Sequence, residues 1–110
     1  MQIEVIRTNG QREEVDVARR FAFRRIEELI GARTLDSVNL RDGRVMFVDD
    51  HGWETETVEH APGHFEMVPT KARKPVNATA TQLYHAICRP GTTHQIAGDV
   101  AIVKDADFEN

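Results

Sequence analysis

The chain has 110 residues, 40% of them hydrophobic and 29% charged, with a formal net charge of −4; that is enough chain to bury one core, and the composition has none of the bias of a disordered segment. The acidic balance argues against nucleic acid as a partner, because a general nucleic-acid binder needs a basic face to neutralise phosphates, and it is far too dilute for a mimic of DNA. A single cysteine excludes an internal disulfide, no apolar run reaches membrane-spanning length, and MQIEVIRTNG lacks the pattern of a secretory leader, so a cytoplasmic location with no membrane contact is expected.

MQIEVIR alternates Ile3 and Val5 against Gln2 and Glu4, the period of a half-buried strand, and Asn9-Gly10 signals a tight turn. QREEVDV reads as the hairpin partner with Val15 and Val17 inward, while Asp16 could instead cap a helix. From Ala18 the period becomes helical: Ala22, Ile26, Leu29 and Ile30 make one stripe with Phe21 and Phe23 on its shoulders, Arg24 and Glu28 can pair on the opposite face, and Gly31 suits the stop. A helix over 18–30 is expected.

VNLRDGRVMFVDD sets Asp42-Gly43 between two apolar runs, the strongest hairpin signal in the chain. In WETETVE, Trp53, Thr55, Thr57 and Glu59 share one face while Glu54, Glu56 and Val58 share the other. With FEMV resuming after HAPGH, the pattern predicts a four-stranded antiparallel meander over 38–68. KARKP is a basic connector, Asn77 caps a second helix over 77–88 with Ala80, Leu83, Tyr84 and Ile87 as its stripe, and GDVAIV at 98–103 is the last strand before an acidic tail. The expected fold is a single α+β domain over 1–110, an antiparallel sheet of about five to seven strands with both helices packed mainly on one face.

Charge is unevenly spread. Residues 45–69 hold six acids and no Lys or Arg, whereas residues 1–44 hold nine of the fourteen basic groups. Trp53, flanked by Glu54 and Glu56 on an expected edge strand, is the natural contact residue for a protein partner. The densest chemistry lies in HAICRPGTTHQIAGD, where Arg89, Thr92, Thr93, His94 and His85 could surround an anion or small ligand, with Gly91-Thr92-Thr93 supplying free amides and hydroxyls. The same stretch offers His85, Cys88 and His94 as metal ligands, but the paired spacings of zinc modules are missing, and Cys88 at a helix C-terminus is a poor thiolate. The sequence therefore implies neither a metal nor another cofactor. A nucleic-acid module through Arg20, Arg24, Lys71, Arg73 and Lys74 is the weaker alternative, opposed by the acidic strip beside it.

VMFVDDHGW, KPVNATATQLYHAI and HQIAGDVAIV resemble a family of short phage- and plasmid-borne domains of unknown function, in which a "PVN" helix start precedes an "IxGD"-like last strand; Pro75-Val76-Asn77 and Ile96-Ala97-Gly98-Asp99 carry the likeness. The resemblance implies a small α+β fold and a mobile-element setting, with no catalytic residue to transfer. Together these readings lead to the expectation of a non-enzymatic accessory protein that binds a host protein or a second copy of itself as a homodimer; the ligand-binding loop, whether as a binding protein or as an enzyme, is the alternative.

Overall fold

A computed structural model describes residues 1–107; the last part of the acidic tail, 108–110, lies outside the described residues. Strands β1 (Gln2–Ile6) and β2 (Arg12–Asp16) form the hairpin expected around Gly10. One turn of 3-10 helix at Arg19–Phe21 leads into α1 (Ala22–Ile30). Then come β3 (Leu35–Asn39), β4 (Arg44–Asp49), β5 (Trp53–Ala61), β6 (His64–Ala72), α2 (Ala78–His85) and β7 (Val100–Lys104).

The protein is α+β, and its described residues form seven antiparallel strands in two sheets: a five-stranded sheet in the order β2-β1-β7-β4-β3, and a two-stranded one of β5 and β6. Position in the larger sheet follows apolarity. Val100, Ala101, Ile102 and Val103 are all at most 5% exposed, and such an uninterrupted apolar run suits a central strand covered on both faces. Charged REEVD, by contrast, stands at an edge.

The expectation of both helices on one face is corrected. Ile26 and Ile30 of α1 pack with Ile3, Val5, Phe47, Ala101 and Val103, whereas Ala80 of α2 packs with Ile6, Met46, Val48, Val100 and Ile102. Neighbouring residues of a strand point to opposite faces, so the two helices cover opposite sides of the sheet. Both faces of β4 and β7 are apolar, and each needs its own cover.

The expected meander over 38–68 is also corrected. The β3–β4 hairpin belongs to the main sheet, and it begins at Leu35, while β5 and β6 leave it as a separate ribbon. Gly52 makes the departure possible: a Cβ there would stand 3.1 Å from the Ala97 carbonyl oxygen, so the turn lies directly on neighbouring backbone. Seven of the nine residues in each ribbon strand are exposed and none is buried. The radius of gyration, 15.0 Å with extents of 48 × 26 × 25 Å, accordingly exceeds the roughly 13 Å of a compact chain of this length.

Boundaries shift for local reasons. Asp16 ends β2 and caps nothing, the 3-10 turn replaces the first turn expected of α1, and Arg25 pairs with Glu28 where Arg24 was expected to. Gly31, at φ +67, closes α1 in the left-handed region as its sequence position predicts. Asn77 is 1% exposed; it accepts from the Ala80 amide as helix cap and donates through Nδ2 to the Ile6 and Gly98 carbonyls. The two segments that carry the family resemblance meet here, since the Asn77 amide donates to Ile96 O and the Gly98 amide to Pro75 O, both at 2.8 Å. Among the described residues, no helix is long and apolar enough to cross a membrane.

Candidate functional site, an aromatic and acidic cleft

Where the ribbon leaves the body, a cleft of about 300 Å3 opens on the α2 side of the sheet. Its floor comes from the sheet: Asp36, Val38 and Val48 alternate inward from β3 and β4 on the face that carries Ala80. Its walls are Tyr84 of α2, the segment His94–Ala97, and the ribbon base with Trp53, Thr55, Met67 and Pro69.

Three rings make the wall continuous. The His94 ring lies 5.7 Å from Trp53 and 6.1 Å, edge-on, from Tyr84. Trp53 is fixed because its indole N–H donates to Gln95 O at 2.9 Å, and the loop is pinned by a 2.6 Å contact between His85 Nε2 and the His94 carbonyl. Burial first, and then a side-chain hydrogen bond with Cys88 and the electrostatic influence of Cys88 and Asp36, raise the Tyr84 phenol above its usual 10.0, so at neutral pH it is an uncharged hydroxyl.

Electrostatically the cleft is one-signed. Asp36, Asp49 and Asp50 line it, and among the described residues no Lys or Arg does. The Asp49 side chain is 6% exposed and bound at 2.6 Å to Lys74, which leaves the exposed Asp36 and Asp50 to act on the opening. An aromatic wall beside unneutralised carboxylates favours a cationic side chain: the rings attract it through their faces and the carboxylates by charge.

From the cleft an apolar stripe runs outward along the ribbon. Phe65, Met67 and Pro69 occupy alternate positions of β6, opposite Glu59, Thr57 and Thr55 of β5, so they share the face of Trp53. Phe65 is 65% and Met67 62% exposed. Glu54 and Glu56 stand on the other face.

The candidates named from sequence divide accordingly. Trp53 and His94 reach the cleft, while Glu54 and Glu56 are exposed on the ribbon's far side. Arg89, Thr92, Thr93 and His85 do not line it. The Thr92 amide and hydroxyl both turn onto Arg89 O, at 3.2 and 2.8 Å, so neither is free for an anion. His85, Cys88 and His94 are not gathered as a metal set, and no group of three His, Cys, Asp or Glu among the described residues could hold a metal ion.

Sequence reasoning missed Asp36, Asp50, Tyr84 and Met67 as a group. The alternation that puts Asp36 beside Val38 was legible in principle once the strand was extended back to Leu35. Their convergence depends on the ribbon turning at Gly52, which no local pattern announces. The chain matches no protein-family model, no curated protein and no solved structure.

Proposed function

We propose that the protein is a non-enzymatic binding module whose cleft and ribbon face receive an extended, basic segment of a partner protein. One observation carries the reading: the exposed stripe Phe65, Met67, Pro69 continues without interruption into a ring-lined cleft that contains carboxylates and no cation. Exposed apolar surface joined to a pocket marks a contact surface, and its charge selects the sign of the partner. A second copy fits less well, because pairing this face with itself would bring acids against acids. The setting in a phage or plasmid, with a host protein as target, extends the proposal and rests on the sequence resemblance.

Trp53 is the only tryptophan and lies in the cleft wall, so its fluorescence reports occupancy directly. Short synthetic peptides alternating Lys with Leu should shift its emission saturably, and Asp36→Asn/Asp50→Asn should weaken them about tenfold, the effect of two partly exposed charge contacts. Peptides alternating Glu with Leu should not bind. Equal binding of both series, or none by either, would remove the reading, and concentration-dependent dimerisation abolished by Met67→Ser would replace it with self-association.

A further inference from the structure

On the other side of the 49–53 turn lies a second concavity, of about 440 Å3, lined by Gly31, Arg33, Asp49, His51, Arg73 and Lys74. We propose that it is an oxyanion site for a phosphate group, held between the Arg33 and Arg73 guanidiniums with His51 beside them.

Three chain segments far apart in sequence build it, and hydrogen bonds to backbone carbonyls fix them to one another. The Asp50 amide donates to Thr34 O at 3.1 Å, the Arg73 amide donates to Gly52 O at 2.9 Å, and Lys74 Nζ donates to Gly31 O at 2.8 Å. Arg33, His51 and Arg73 are thus carried on anchored backbone to the rim of one hollow. All three are exposed, and none of their side chains has a hydrogen-bond or ion-pair partner among the described residues.

Two features of the hollow would repel an anion, and Lys74 answers both. Among the described residues Asp49 is the single acid in the wall, and its carboxylate is occupied by the Lys74 ammonium at 2.6 Å. The negative end of α1 also points here, but the same ammonium reaches the Ile30 and Gly31 carbonyls at 3.4 and 2.8 Å. What remains is two unopposed guanidiniums in a chain whose net charge is −4. Each presents paired N–H groups that match two oxygens of a tetrahedral anion, a geometry that an isolated ammonium cannot offer.

The test is a titration followed by amide NMR at constant ionic strength, with inorganic phosphate in one arm and a phosphoserine peptide beside its unphosphorylated form in the other. Saturable shifts confined to 31–34, 51–52 and 73–74 are expected with phosphate, and none with acetate. Arg33→Ala/Arg73→Ala should keep its melting temperature and weaken phosphate at least about tenfold, as expected on losing charge-assisted hydrogen bonds. Arg33→Lys/Arg73→Lys should recover only part of the affinity. Tighter binding of the phosphopeptide would identify a protein-borne phosphate as the source, and equal binding a free one. Linear shifts, shifts shared with acetate or unaltered in the double Ala variant, or an oligonucleotide bound more tightly and with steeper salt dependence than either phosphate would overturn the assignment. None of these readouts depends on the peptide cleft across the turn.

Discussion

Lys74 joins parts of the chain that share no sheet. Its ammonium holds Asp49 at the end of β4 and the last carbonyls of α1, while its stem lies where Gly98 has no side chain: a Cβ there would come 2.9 Å from Lys74 Cδ. Lys74→Met keeps the stem and removes the charge, leaving an almost fully buried carboxylate without its cation. A loss of about 3 kcal/mol in urea unfolding is expected, and Asp49→Asn in the same chain should restore part of it. A change below about 0.5 kcal/mol would show that water serves Asp49 as well as Lys74 does. Sequence offered no way to single out this lysine within KARKP, since its partners lie in other elements. The strand period alone, by contrast, separates the face of Trp53 from that of Glu54 and Glu56, which the sequence reading groups with it as contact residues.

Tyr84 is the only tyrosine, so alkaline absorbance titration reads it alone. Its midpoint should lie above 10.0, chiefly through burial and next through Cys88. Cys88→Ala should lower it more than Asp36→Asn does, in the order of the causes. The folded state holds this proton more tightly than the unfolded chain, so the associated stability is complete below the unfolded value near 10 and disappears as pH rises through the folded one. A midpoint at or below 10.0 would mean that the phenol faces water.

Among the described residues, β5 and β6 contribute none to either buried apolar cluster. A two-stranded hairpin alone in water is marginal, and here Phe65 stands 65% exposed. Phe65→Ser should therefore leave unfolding free energy within about 0.5 kcal/mol of the parent, as for an exposed position, while weakening the Lys-containing peptides. Destabilisation of about 2 kcal/mol or more would place Phe65 in a packed environment and take the stripe out of the binding surface. The period of two made β5 and β6 readable as strands, and turn chemistry made both hairpins of the main sheet readable. Which strands pair across the molecule was not readable, because the choice between one meander and two sheets is made by the close approach of Gly52 to Ala97. Nor was the division of the helices between two faces: apolar runs in β4 and β7 signal double burial only when their central place is known.

At the scale of the whole molecule, the order β2-β1-β7-β4-β3 sets the last strand of the sequence between the two halves of the sheet. Arg7 and Asp99, bonded at 3.0 Å, are separated by 92 positions along the chain. A ribosome delivers about 5–20 residues each second, so β1, α1 and β4 emerge several seconds before the strand that joins them. Throughout that interval Ile3, Val5 and Phe47 lack the Ala101 and Val103 side chains that they pack against in the complete sheet. A message cut short before Val100 thus lacks the strand that joins β1 to β4, and its two half-sheets have no common seam.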